Sequence, residues 1–234
     1  MDTFGLPDNY RPNPLPTRDA DPYWTPERIR MSYRYQYHVY QLAAQVAKQN
    51  DLTLIADVGC GPGTKLIRFF PPPFEIHGFD LQEAIEICRS RQTHGTFTAI
   101  DLAEPEHDGK GYGPFDLVIC ADVVEHLVNP RVLLSYLRTL GNKDTTYVIS
   151  TPDRTRLHGR DALSPINPEH IREWNASEFP AFVESMGFSV ISQQFFPLQR
   201  LAGSFSSFKA VLLGLMRSER ASPNQVLLCK HGVN

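Results

Sequence analysis

Apolar and polar positions along this chain follow two periods in turn. TLIADV, EIHGFD, GTFTAID, FDLVICAD and TTYVIST are short runs rich in β-branched and aromatic residues, and each predicts a strand. Between them, the residues after Gly63, LQEAIEICRSR and RVLLSYLRTL carry apolar residues at helical spacing. Asp80-x-x-Glu83 has the form of a capping box for the second of these helices, Asn129-Pro130 opens the third, and Gly141 stops it. Upstream, Thr25-Pro26-Glu27 predicts a helix start. One helix is expected from there through IRMSYRYQYHVYQLAAQVAKQ, on the recurrence of Tyr33, Tyr37, Tyr40 and Ala44. Downstream, ASEFPAFVESMGF reads as a helix with Phe179, Phe182, Val183 and Met186 inward. SVISQQFF and NQVLLCK read as the last two strands.

Strands alternating with helices imply an α/β, doubly wound, mostly parallel sheet covered on both faces. An arm and cap helix are expected over 1–50 and the main domain over 51–234. Within that domain, TPDRTRLHGRDALSPINPEHIREW is too long for a passive connection, and a functional lid is expected over about 151–175. A second insertion, about 198–222, carries an apolar stretch with basic ends. It reads as a core or lid helix rather than a membrane-surface helix.

Composition narrows the classes of function. With 23 Lys and Arg against 26 Asp and Glu, the net charge is −3, which supplies no general basic field for nucleic acid or an anionic membrane. Cys60, Cys88, Cys120 and Cys229 stand far apart, so neither a zinc site nor a disulfide framework is indicated, and no metal is expected. A reducing, cytoplasmic setting is expected. The first residues lack the pattern of a secretion signal, and no apolar stretch approaches the ~20 residues of a membrane span.

The densest chemical signal is LIADVGCGPGTKL, an acid followed by three alternate glycines at the end of a strand. A phosphate loop requires Gly-Lys-Ser/Thr, and here the order is Gly63-Thr64-Lys65. The dinucleotide fingerprint is matched in part: Thr64 stands where its last glycine belongs, so an NAD-dependent oxidoreductase stays open as a rival. Further acids end the next strands. Asp80 suits the two hydroxyls of a ribose, Asp101 the exocyclic amine of adenine, and Asp57 a cationic amino group. Together they describe a nucleoside with an amino-acid tail. Taken singly, Asp80 could cap a helix and Asp101 could end a strand.

In order and spacing, DVGCGPG, GFD, AID and DLVICADVVEHL resemble the class I S-adenosylmethionine-dependent methyltransferases, over roughly Asp51 to Gly187. The resemblance implies a seven-stranded, Rossmann-like sheet whose C-terminal hairpin is antiparallel, with S-adenosyl-L-methionine as cofactor and S-adenosyl-L-homocysteine as product. It implies that Gly59, Cys60, Gly61 and Gly63 form the cofactor loop and that Asp57 lies near the methionine amino group. Asp80 and Leu81 would lie at the ribose, Asp101 and Leu102 at the adenine, and Ala121 and Asp122 beside the sulfonium and substrate. Cys60 reads as a small loop residue rather than a nucleophile, because methyl transfer needs no covalent intermediate.

Transfer to a hydroxyl profits from a base. His170, in INPEHIREW, is the first candidate, His126 the second and His158 the weakest; the structural reading of His170 is a helix-start residue bonded to backbone, and of His126 a loop brace. The lid segment resembles one found in methyltransferases that act on sugars and surface glycans. Arg154, Arg156 and Arg160 would then hold a phosphate or carboxylate, as in a nucleotide sugar, or else be solvated loop residues. The expected activity is O-methylation of a small polar, sugar-containing acceptor. Its rivals within the same fold are N-methylation of an amino sugar or small amine, and a non-catalytic module that binds the cofactor without transferring its methyl group.

Overall fold

The computed structural model describes residues 3–16, 22–91, 94–103, 111–200 and 219–232. Its centre is a seven-stranded sheet of order β3-β2-β1-β4-β5-β7-β6. The strands are β1 (Leu54–Val58), β2 (Glu75–Asp80), β3 (Thr96–Ala99), β4 (Leu117–Ala121), β5 (Thr146–Pro152), β6 (Phe188–Phe196) and β7 (Asn224–His231). The first five are parallel; β7 pairs antiparallel with both β5 and β6. All seven stand where the apolar runs put them.

The helices are α1 (Pro26–Ser32), α2 (Tyr37–Gln49), α3 (Thr64–Phe69), α4 (Gln82–Arg91), α5 (Pro130–Thr139), α6 (Arg154–His158) and α7 (Glu178–Ser185). Every residue of β4 and β5 is buried, because helices cover both faces. Alternation along β4 sends Val118 and Cys120 into one core, with Leu133, Leu137, Phe179 and Phe182. It sends Leu117, Ile119 and Ala121 into the other, with Val39, Ala43, Leu66 and Ile85.

Two local readings need correction. The expected single helix after Thr25 is two: Thr25 caps α1 by accepting from the Arg28 N–H at 3.2 Å, but the chain breaks before α2 at Gln36, whose φ is 51°. Tertiary pairing overrides helical periodicity there. Tyr35 bridges Gln199, the Gln36 N–H donates to Leu198 O at 3.1 Å and the Arg200 N–H donates to Arg34 O at 2.8 Å. The capping box is not formed either, since Glu83 accepts from the Trp24 N–H at 3.1 Å instead of reaching back along its own helix.

The segment after β5 contains α6 and then runs irregularly until an Asp153–Trp174 bridge closes it. The N-terminal arm lies across it. Arg11 N–H donates to Leu163 O at 2.8 Å, Asn13 N–H to Ile171 O at 2.9 Å, and the Trp174 indole to Phe4 O at 2.9 Å. Most of the second insertion, residues 201–218, lies outside the described residues. Among the described residues, no helix is long and apolar enough to cross a membrane.

Candidate active site

The carboxyl ends of β1 to β4 place Asp57, Asp80, Asp101 and Asp122 along one rim, and β1 lies between β2 and β4 at the point where the strand order reverses. Gly59, Gly61 and Gly63 all have positive φ, 81°, 56° and 69°, a conformation only glycine adopts without strain. Sterics add a second reason at Gly59, where a Cβ would overlap Val123 Cγ2. The loop is tied to β2. Gly59 N–H donates to Phe79 O at 2.8 Å and Gly61 N–H to Asp80 Oδ2 at 2.7 Å, while Leu81 N–H donates to Asp80 Oδ1 at 2.7 Å.

Asp57 is fully buried. Its Oδ2 accepts from the Tyr40 hydroxyl at 2.8 Å, and its Oδ1 has no partner among the described residues. Burial pushes this carboxyl up to about 7, against the opposing pull of the Tyr40 hydrogen bond and the Lys65 charge. Lys65, buried beneath the loop with its Nζ 2.9 Å from Ser32 O, is pushed the other way by burial. An orphaned carboxylate oxygen beside a glycine loop suits a cationic group. Asp101 is exposed and accepts from the Ala103 N–H at 2.9 Å; Leu102 beside it is buried. Cys60 is buried with its thiol 3.5 Å from Gly61 O, and its neighbour Cys88 together with burial raises its pKa well above the ordinary value.

Across the crevice, the chain turns left-handed at Asp122, with φ 54°, and enters a 3-10 turn, Val124–His126. Asp122 accepts from the hydroxyl of Ser150 and from Asn224 Nδ2 at 3.1 Å. Glu125 is fully buried; its Oε2 accepts from Thr151 Oγ1 at 3.1 Å, while Oε1 has no partner among the described residues. Burial first, and the Asp122 charge second, push Glu125 up to about 8. His126 and His170 meet edge to face with ring centroids 4.9 Å apart.

Both imidazoles are held from behind. His126 Nδ1 lies 2.8 Å from Glu169 O, and His170 Nδ1 lies 2.6 Å from Glu173 Oε1. Carbonyl and carboxylate oxygens accept, so each Nδ1 carries the proton and each Nε2 keeps its lone pair. At His170 that lone pair accepts from Asn167 Nδ2 at 2.9 Å. Glu173, fully buried, also meets His158 Nε2 through Oε2 at 2.8 Å.

The structure places Asp57, the glycines and Asp80 at the ends of β1 and β2, Asp101 and Leu102 after β3, and Ala121, Asp122 and His126 at the end of β4, with His170 meeting His126 edge to face. His170 is not the backbone-bonded helix-start residue of its structural reading, because its ring partners are side chains. Arg154 is not free for a substrate phosphate. It is buried, with contacts to Ala162 O at 2.8 Å, Glu173 O at 2.6 Å and Glu178 Oε1 at 2.8 Å. Arg156 lies 3.6 Å over the Phe195 ring, and Arg160 is exposed. Sequence reasoning missed Glu125, Glu173 and Trp24. Trp24 packs over the loop, 3.1 Å from where a Cβ on Gly61 would stand.

Residues 30–193 match a family model described as a methyltransferase domain. A probable S-adenosylmethionine-dependent methyltransferase of Mycolicibacterium smegmatis is 30% identical over 192 residues, covering 80% of this chain and 70% of that protein. A ubiquinone biosynthesis O-methyltransferase of Rickettsia akari is 25% identical over 155 residues, 64% of this chain and 61% of that protein. In fold, a SAM-dependent methyltransferase from Archaeoglobus fulgidus superposes with a TM-score of 0.60 at 19% identity, covering 89% of this chain and all (100%) of that one.

Proposed function

This chain belongs to the class I S-adenosylmethionine-dependent methyltransferases, and on that premise we propose that it methylates a hydroxyl oxygen of a small, polar, sugar-containing acceptor. Family membership displaces the oxidoreductase reading. When bound, S-adenosyl-L-methionine supplies a methyl group on a sulfonium, so the acceptor needs only to be aligned, desolvated and relieved of a proton. In this reading Asp57 Oδ1 takes the methionine ammonium and the Asp80 carboxylate accepts from the ribose hydroxyls. Asp101 and the Leu102 backbone flank the adenine, and Ala121 and Asp122 border the reacting centre.

The observation that supports an oxygen acceptor is the cluster of Glu125, His126 and His170, one ligand atom of each within 4.8 Å of the others, with Glu125 Oε1 unpartnered among the described residues. An amine delivered neutral already has its lone pair available, whereas a hydroxyl gains from groups that polarise the O–H bond and ease departure of its proton. Asn224 adds a further buried acceptor, its Oδ1, with no partner among the described residues. A wall of that chemistry favours an acceptor with several hydroxyls over an apolar ring. The Rickettsia relative, named an O-methyltransferase, supports the same bond type.

Labelled methyl transfer tests the reading. The purified chain is offered polyols, sugars, nucleotide sugars, amino sugars and catechols. Transfer to hydroxyls of the sugar class is expected, and transfer confined to the nitrogen of amino sugars overturns the reading.

A further inference from the structure

The wall opposite the glycine loop has the makings of a metal centre. One ligand atom each from Glu125, His126 and His170 lies within 4.8 Å of the others, although the residues come from two separate segments. Three further observations bear on what belongs between them. Glu125 is completely buried with Oε1 bare, and a buried carboxylate oxygen without a partner is costly unless a cation or donor meets it. Each imidazole has its Nδ1–H anchored behind, to Glu169 O at 2.8 Å and to the Glu173 carboxylate at 2.6 Å, which leaves Nε2 of each as the ligating atom, that of His170 being met by the Asn167 amide at 2.9 Å. Backing a ligand histidine with a carboxylate or carbonyl is how metal sites fix its tautomer and raise its basicity.

We propose that Glu125, His126 and His170 bind one divalent first-row transition cation, whose open positions hold hydroxyl oxygens of the acceptor. The ligand role stands alone; the acceptor role rests on the hydroxyl reading above. Two imidazoles with one carboxylate favour Mn2+, Fe2+, Co2+ or Zn2+ over Mg2+ and Ca2+, which prefer all-oxygen sets. Ligand atoms about 2.1 Å from a shared ion in tetrahedral directions stand about 3.4 Å apart, so a trio within 4.8 Å closes by up to roughly 1.4 Å at its widest. Asn167, whose amide N–H meets the His170 lone pair, is exposed and swings aside. A cation so placed acidifies a bound hydroxyl much as it acidifies bound water. The expectation of no metal came from cysteine spacing, which has no bearing on a carboxylate–imidazole site.

The test is titration of Co2+ into the chelator-treated full chain, with neither methyl donor nor acceptor present, followed by calorimetry and visible absorption. One equivalent is expected, with the d–d bands of a nitrogen–oxygen site. Glu125→Gln and His126→Asn should each weaken binding by more than the 10–100-fold that loss of an outer-shell partner removes. S-adenosylhomocysteine affinity, measured on the same samples, reports whether each variant is folded. Should Glu125→Gln fail that check, His126→Asn, at the partly exposed position, decides. No saturable binding of Co2+, Mn2+ or Zn2+ to the wild type, or binding unchanged in a folded variant, overturns the site. Binding retained while chelation leaves hydroxyl methylation undiminished overturns the acceptor-holding role alone. Binding retained with no hydroxyl methylated at any metal load sinks the acceptor reading and leaves the site standing.

Discussion

If Asp57 receives the ammonium of the methyl donor, donor affinity must follow the ionisation of that carboxyl. Burial raises Asp57 to about 7, so below that pH the free protein holds a proton on it that has to leave before an ammonium is accepted. At pH 5.5, about 1.5 units lower, roughly one molecule in thirty carries the ionised form. At about 1.36 kcal/mol per unit, that is close to 2 kcal/mol of lost affinity. Calorimetric titration with S-adenosylhomocysteine should therefore show affinity rising about tenfold per pH unit from 5.5 towards 7 and levelling near 7.5. Tyr40→Phe removes the 2.8 Å hydrogen bond that favours the charged form. Such bonds are worth about 1.5–3 kcal/mol, enough to carry the midpoint to roughly pH 8–9, so the variant should still be climbing at 7.5. Asp57→Asn should be flat. Stability has the opposite sign: a carboxyl raised on folding makes the free protein progressively less stable as pH rises from about 4 to 7, because the unfolded chain releases the proton first. A wild-type affinity that does not change between pH 5.5 and 7.5, or an equal slope with adenosine, which has no amino-acid tail, would refute the role of Asp57.

Asp80→Ala should weaken S-adenosylhomocysteine by on the order of 1.5–3 kcal/mol in the same calorimetric assay, and an unchanged affinity would remove Asp80 from the ribose. Gly59→Ala combines a left-handed φ, worth about 1–2 kcal/mol, with overlap on Val123, worth about 1–3 kcal/mol. Melting should fall by roughly 5–15 °C for a domain of this size, and a loss under 2 °C would contradict the close approach. Arg154→Ala strands the nearly buried Glu178 carboxylate and two carbonyl contacts, so urea unfolding should register a loss of about 3–5 kcal/mol, against under about 0.5 kcal/mol for exposed Arg160→Ala.

How much of this was legible in the sequence depended on the range of the interaction. The strands were legible because β4 and β5, buried on both sides, read as unbroken apolar runs, and the turn after β1 because φ above zero demands glycine at Gly59, Gly61 and Gly63. Long-range choices were not legible. Nothing near Tyr33 announces that Arg34 to Gln36 would pair with residues 198–200 and break a helix whose apolar period continues without interruption. Arg154 looked like an anion hook because it sits in a polar segment; its partners are Ala162 O and Glu173 O, from the same segment folded back on itself, and Glu178 at the start of α7.

The same segment carries half of the proposed acceptor wall. His126 belongs to the turn after β4, but His170 arrives from residues 159–174, a stretch with little regular structure of its own, so what holds His170 in place decides whether the wall exists. Three groups do so from different parts of the chain. The backbone carbonyl of Glu125 accepts from Ile171 N–H at 2.9 Å, Asn13 of the N-terminal arm donates through Nδ2 to His170 O at 3.0 Å, and the Tyr10 hydroxyl accepts from Glu173 N–H at 2.8 Å. Tyr10 and Asn13 therefore tie this segment to the N-terminal arm, and Glu125 couples its backbone to the turn that carries His126. In the proposed reading Tyr10 and Asn13 of the N-terminal arm support the acceptor half of the site, while Trp24, further along that arm, packs over Gly61 in the donor half. In that reading the cofactor side is held chiefly by bonds between the glycine loop and the end of β2, and the acceptor side by contacts spanning most of the chain.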